Sequence, residues 1–369
     1  MFAKQKRQQV EELAARLHVD VPPEARAFFQ AAEAGDYSAV SNCFEKISPG
    51  TGGTGTVTPL PSLKNVLYIP IHETRWAYQE FHRWDETLLQ KYADGILRSV
   101  PAGSIYFGGT DPGRFIITAV RDAAQSPNIF IITQNMLGVS SHYTEYLRLL
   151  FGNRLWIPGE KDVQEVLQQQ ATEVKTLNGS MNIISALTKA VFDHNKDKHE
   201  FYVEESYVIP WMYAYLEPHG LILKLNKEPL AQLDSATVAR DRQFWNALTK
   251  ELLADPQFLG DEWARKTYAK LRSAIGGLYQ NRHLTKEAED AFNQAFELGP
   301  MSPEAVFRLA QLYLETNRST DAISLLEHFK DRADVSDSDR QHILQAISQI
   351  RDHQHPVDET QPQPNPPSQ

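Results

Sequence analysis

Ala269-Lys-Leu-Arg-Ser-Ala-Ile-Gly-Gly-Leu-Tyr279 and Pro303-Glu-Ala-Val-Phe-Arg-Leu-Ala-Gln-Leu-Tyr313 lie 34 residues apart and carry the same pattern of large and small apolar positions. Ile275, Gly276 and Tyr279 of the first become Leu309, Ala310 and Tyr313 of the second, and the match continues downstream from Ala288 and Phe292 to Ala322 and Leu326. Apolar residues at helical spacing, repeated after a turn, describe a helical hairpin that occurs twice. The small residues Gly276, Ala288, Ala310 and Ala322 let the paired helices approach closely, while Tyr279, Phe292 and Tyr313 fill the space between hairpins.

A period of 34 residues is that of tetratricopeptide hairpins, so the units are expected over 269–302 and 303–336. Phe329 and Asp334 depart from the pattern near the end of the second unit. The helix at 338–351, with Ile343, Ala346, Ile347 and Ile350 on one face, is expected to cap the open end. Two units fall short of the number that stands alone, so the other end must rest on the rest of the chain. Stacks of this kind hold partner segments along the first helix of each hairpin. That face places Arg272, Gln280, Arg308 and Gln311 as protein-binding residues, with a protein or peptide as the partner.

Upstream of the repeats the pattern changes. Short apolar runs at Val66–Ile71, Ser104–Phe107, Ile129–Thr133, Phe201–Val203 and Leu221–Leu225 read as strands. Between them, amphipathic stretches at 75–99, 113–123, 141–151, 160–176 and 181–193 read as helices. This order predicts an α/β fold, a three-layer domain over 64–232 with a mostly parallel or mixed sheet. Residues 1–47 read as an N-terminal helical hairpin, with Pro23 at a helix start. The stretch 48–63, rich in Gly, Thr and Pro, reads as a flexible linker. Residues 233–352 form the helical domain, and 353–369 a proline-rich disordered tail.

Composition narrows the partners. A 369-residue chain with 41% hydrophobic residues is long enough for more than one core. Its net charge of −10 argues against nucleic acid as the main partner. Cys43 is the single cysteine, which excludes an intrachain disulfide and a cysteine metal cage. The polar run around Asp193, His194, Asp197 and His199 lacks the spacing of a zinc helix, so neither a metal nor a cofactor is expected. No run reaches the length of a membrane span, and no signal sequence opens the chain, which suits a cytoplasmic protein.

The candidate site begins at Ser104-Ile-Tyr-Phe-Gly-Gly-Thr-Asp-Pro-Gly-Arg-Phe115, a strand running into a Gly-rich turn and a helix. Ligands of open α/β sheets collect at the carboxyl ends of strands. Gly108 and Gly109 permit close backbone approach, Asp111 can act as a base or accept from a hydroxyl, and Arg114 can pair with an anion. The competing reading gives the glycines to the turn and Asp111 to helix capping. Gln134 and Asn135 follow the next strand, and Glu204 and Glu205 end a third. Gly108, Gly109, Asp111, Arg114, Gln134, Asn135 and Glu204 are therefore expected to share one cleft. Asp111, Glu204 and Glu205 are the candidate catalytic carboxylates if the site is an enzyme's.

Gly108-Gly-Thr-Asp-Pro-Gly-Arg-Phe115, Thr133-Gln-Asn135, Phe201-Tyr-Val-Glu-Glu-Ser206 and Leu216-Glu-Pro-His-Gly-Leu221, followed by the hairpins, resemble a group of poorly characterised bacterial tetratricopeptide-repeat proteins over most of residues 20–330. More distantly, the same succession is similar to the soluble C-terminal region of protein O-mannosyltransferase-like membrane proteins. That resemblance implies a periplasmic or membrane-associated setting and a role near a glycan or small ligand. It carries no catalytic activity, because glycosyl transfer there belongs to a membrane part. It also implies that relatives carry an upstream membrane segment, with Met1 then a late start. The leading expectation is a non-catalytic binding scaffold with a glycan-accessory α/β domain. The rival is a glycosyl-group transferase or hydrolase.

Overall fold

The computed structural model describes residues 1–49, 60–63, 66–124, 128–139, 141–169, 177–205, 208–332 and 335–354. Most of the linker, the end of the helix expected to reach 176, Asp334, and the tail beyond 354 lie outside the described residues.

Three helices open the chain: α1 (Phe2–Leu17), α2 (Pro23–Glu33) and α3 (Tyr37–Ile47). Gly35 takes a left-handed conformation, φ 73°, that turns α2 into α3, and Asp36 caps α3 by accepting from the Ala39 N–H at 2.9 Å. Phe28, Phe29, Val40 and Phe44 are buried where α2 and α3 meet. These helices pack on α4 (Tyr68–Arg83), and the buried Lys6 ammonium of α1 lies 2.6 Å from Glu73 on that helix.

The strand expected at Val66–Ile71 is instead a turn at Val66 and Leu67 running into the first residues of α4. A short apolar run has no periodicity that separates a buried strand from a buried helix. Here Thr74 and Ala77 continue the buried face of Ile69, Pro70 and Ile71 at helical spacing, and that face docks on the N-terminal helices. The helix expected over 75–99 is correspondingly divided into α4 and α5 (Glu86–Leu97), with Asp85 capping the second.

The other four strands are present, and a fifth joins them. The sheet runs β2 (Phe130–Thr133), β1 (Ile105–Gly108), β3 (Phe201–Glu204), β5 (Ile222–Leu225), β4 (Leu216–His219). Neighbours among β2, β1 and β3 are parallel, while β5 and β4 are antiparallel additions. Residues of β1, β2 and β3 are all buried, as strands covered on both faces must be. Pro218 obscures β4 in the sequence, and the strand is tolerated because it lies at the sheet edge.

A π turn at Pro112–Ile116 leads into α6 (Ile117–Ala124), and the helices α7 (Gln134–Val139), α8 (Ser141–Phe151), α9 (Glu160–Gln169) and α10 (Leu177–Asn195) follow. Phe192 of α10 meets Phe201 on one sheet face, and Tyr92 of α5 reaches Glu204 on the other. The layered arrangement is thus a small mixed sheet of four-residue strands inside a mostly helical molecule, where a larger three-layer domain was expected.

The C-terminal part is helical throughout: α11 (Ser235–Leu253), α12 (Pro256–Gly260), α13 (Glu262–Asn281), α14 (Thr285–Leu298), α15 (Pro303–Glu315), α16 (Ser319–Lys330) and α17 (Asp337–Gln354). Helices α13/α14 and α15/α16 form the two tetratricopeptide-like hairpins. A Cβ on Gly276 would stand 2.6 Å from the Phe292 ring, which is why this position holds no side chain. Tyr279 and Phe292 are buried, Tyr313 is half-buried under the Arg318 guanidinium, and Ile343 and Ile347 of α17 join the core of the second hairpin. Phe329, a departure in sequence, simply fills that core.

One expectation about this stack is overturned. Arg272 does not face a partner groove: it is 2% exposed, with Nη1 2.8 Å from Asp241 of α11, Nε 2.7 Å from Gln294, and its guanidinium on the Trp245 ring. Asp241 and Trp245 of α11 cover this side chain, so the position becomes interior. Tyr279 donates its hydroxyl to the same Asp241 carboxylate at 2.7 Å. Tyr279→Ala should lower unfolding free energy by about 3–5 kcal/mol through core truncation alone. Urea titration checks this; a loss within the error of the wild type would place Tyr279 outside the core.

Candidate functional site

The parallel register aligns Gly108, Thr133 and Glu204 as the last residues of three adjacent strands. The turns that follow therefore leave the same sheet edge, as expected from strand order. Asn135 donates its side-chain N–H to the Gly109 carbonyl at 3.3 Å, tying the first two turns together.

Glu204 and Glu205 take different sides. Glu204 is fully buried beneath the first turn and accepts from the Thr110 hydroxyl at 2.6 Å, the Thr110 N–H at 3.1 Å and the Gly109 N–H at 3.4 Å. Burial, opposed by these donors, raises its carboxyl to about 7. Glu205, also buried, borders the cleft and accepts from the Gln134 side-chain N–H. A Cβ on Gly113 would stand 1.7 Å from the Glu204 carboxylate, and one on Gly109 would stand 1.8 Å from that of Glu205. These glycines make room for the protein's own acids rather than for a ligand.

The turn is also capped differently from either expectation. Asp111 makes no capping hydrogen bond and pairs with Arg114. Thr110 does the capping, accepting from the Gly113 N–H at 3.1 Å while its hydroxyl donates to Glu204.

A cleft of about 730 Å3 opens at this edge. Gly109, Asp111, Arg114, Gln134 and Asn135 line it, whereas Glu204 is enclosed and Glu205 takes its place. Gly108 stays within the sheet. The opposite wall was not anticipated: Glu80 and Arg83 come from α4, and Trp263, Lys266 and Lys270 from the first repeat helix, α13. Arg83 lies 4.3 Å over the Trp263 ring. Glu80 is buried, and burial together with the nearby Asp111 charge raises its carboxyl to about 7. His72, behind Arg114, is held neutral by burial and that guanidinium, with its pKa lowered to about 3, and accepts from the Trp76 N–H. The spacing of Lys266 and Lys270 on one helix face was the available signal for α13. Glu80 and Arg83 gave none while their segment was read with a strand before it.

A second concavity of about 530 Å3 runs between α13 and α15, and three of the expected groove residues, Gln280, Arg308 and Gln311, line it. Gln280 and Gln311 both donate to Glu315, at 2.6 and 2.9 Å, and Arg308 lies 3.3 Å from Glu304. Lys266 and Lys270 line this groove as well as the cleft. Neither lysine has an ion pair among the described residues. A further cleft of about 550 Å3 beside α1 holds charges that already pair with one another, Lys6 with Glu73 and Asp122 and Arg121 with Asp122.

Among the described residues no group of His, Cys, Asp and Glu is placed to hold a metal ion, and no helix is long and apolar enough to cross a membrane. No protein-family model and no curated protein matches the chain. Among solved structures, the TPR2AB-domain:pHSP90 complex of yeast Sti1 aligns at 11% identity and a TM-score of 0.21, covering 89% of this chain and 97% of that one. A likeness that remote carries no argument, so the repeat rests on its own register and packing.

The Glu204 carboxyl gives a pH test. Its folded pKa, about 7, lies above the ordinary value of 4.5, so the folded protein holds the proton more tightly. Stability from this group is complete below pH 4.5 and falls as the pH rises through 7. The loss is on the order of 3 kcal/mol. Glu204→Gln should flatten the fall between pH 5 and 8 in chemical denaturation, whatever its effect on absolute stability; an unaltered slope would show that Glu204 is ionised throughout.

Proposed function

We propose that this protein is a binding scaffold whose tetratricopeptide-like stack holds an extended segment of a partner protein. The observation that carries this reading is the groove between α13 and α15: the repeat buries Tyr279 and Phe292 and leaves Gln280, Arg308 and Gln311, beside Phe307, on a concave face. Lys266 and Lys270, without an ion pair of their own, extend it and select an acidic segment.

The enzyme expected as the rival draws no equal support. Glu204 is sealed under its turn, Asp111 is paired with Arg114, and Glu205 is held by Gln134. The glycan-accessory role, and the periplasmic or membrane-associated setting, rest on the resemblance to O-mannosyltransferase-like proteins, and no comparison adds to it.

An array of acidic and charge-reversed peptides, followed by titration of the strongest binder, tests the reading. Acidic peptides should be retained, more weakly as salt rises, and Gln280→Ala with Gln311→Ala should weaken binding about tenfold or more. Binding indifferent to peptide charge and to both substitutions would contradict it.

A further inference from the structure

The cleft between the strand ends and α13 contains polar atoms that the fold leaves without a hydrogen-bond partner: Glu80 Oε2, Gln134 Oε1 and Arg114 Nε. Glu80 and Gln134 are only 2% and 1% exposed. Buried acceptors are nearly always satisfied in folded proteins, because an unmade hydrogen bond there costs stability. Two on the lining of one cleft point to a site whose partners arrive with a ligand.

The chemistry of the lining says what those partners are. Gln134 already gives its N–H to Glu205, so its remaining oxygen asks for a donor, and a hydroxyl supplies one. Glu80, with its carboxyl raised to about 7, exchanges between acid and carboxylate near neutral pH. A hydroxyl satisfies either form, since it both donates and accepts. The floor of the cleft is therefore suited to hydroxyl groups.

The wall contributed by α13 differs. Lys266 and Lys270 stand one helical turn apart and have no ion pair among the described residues, whereas the cleft's acids Asp111 and Glu205 are already engaged. Glu304, itself paired with Arg308, acts on both lysines from a distance, and positive charge beyond what it offsets, in a chain of net charge −10, marks a place for an anion. A compact ammonium pair suits a phosphate as a point-charge partner. The volume, about 730 Å3, is that of a small-molecule site.

We propose that this cleft binds a small phosphorylated polyol, of the sugar-phosphate class, with its hydroxyls on Glu80 and Gln134 and its phosphate on Lys266 and Lys270. A neutral sugar leaves the lysines unpaired, and free phosphate leaves both buried acceptors unmet. The site thus favours the ligand that joins the two chemistries. This inference shares Lys266 and Lys270 with the peptide groove, but Gln280 and Gln311 line the groove alone, so their substitution separates the two readings.

Titration calorimetry on the full chain tests it, with glucose 6-phosphate, ribose 5-phosphate and glycerol 3-phosphate as probes and glucose, glycerol and inorganic phosphate as controls. At least one phosphorylated probe should bind about tenfold or more tightly than its fragments. Substituting Lys266→Ala and Lys270→Ala together should remove that gain without lowering the melting temperature. Glu80→Leu, which also releases Arg83 from its 3.6 Å contact with Oε1, should weaken binding about tenfold, because it removes the Oε2 acceptor that the fold leaves without a hydrogen-bond partner. Gln280→Ala with Gln311→Ala should leave probe binding unchanged. No probe binding better than inorganic phosphate, or binding that survives both the lysine pair and Glu80→Leu, would overturn the proposal.

Discussion

Two helical hairpins cannot close their own core, and the contact that resolves this is the buried Asp241 carboxylate on α11. It accepts from Arg272 and Tyr279 of α13, and Arg272 goes on to Gln294 of α14. Helix α11 is thereby tied to α13, and through Arg272 to α14, the two helices of the first repeat. The end of α13 is fixed from the other side. Arg282, just beyond its last turn, donates to the carbonyls of Tyr213, Ala214 and Leu230, next to the antiparallel end of the sheet. A buried pair of this kind is strongly destabilising to break, because removing one partner leaves the other charge uncompensated.

The consequence reaches the functional surface. With α13 pinned between α11 and the sheet, its Lys266 and Lys270 form a ridge shared by the strand-end cleft and the repeat groove. The strand-end side is fixed by a second buried acid. Glu204 holds the Gly109 and Thr110 N–H groups beneath the turn after β1, and the missing side chain at Gly113 is what admits the carboxylate. The turn is thus preorganised by the protein's own chemistry, and Arg114 and Asp111 are displayed on its outer side.

Where periodicity was long and repeated, sequence and structure agree. The 34-residue register placed Gly276, Tyr279, Phe292 and Ala322 in the interior, and the order of apolar runs located β1, β2, β3 and β5. Three kinds of feature were not legible, each for a physical reason. The run Val66–Ile71 is too short to distinguish a strand from a helix buried under α1 to α3. Arg272 sits at a position that faces outward in a free-standing repeat, and only the docking of α11 makes it interior. The choice between Glu204 and Glu205 depends on which side of the strand end each leaves, and neighbouring acids carry no such label. Half of the cleft lay out of reach for a further reason: Glu80 and Arg83 are separated from Lys266 and Lys270 by well over a hundred residues of chain. No local pattern brings them together.

With α13 as the common wall of both concave sites, sheet and repeats should open as one cooperative body. Amide hydrogen exchange under native conditions tests it most directly. If α13 is pinned as described, its amides between Thr267 and Tyr279 will exchange with the same protection, and the same denaturant dependence, as those of β1 and β3. Exchange of α13 to α16 in a separate opening, while β1 and β3 remain protected, would contradict the claim.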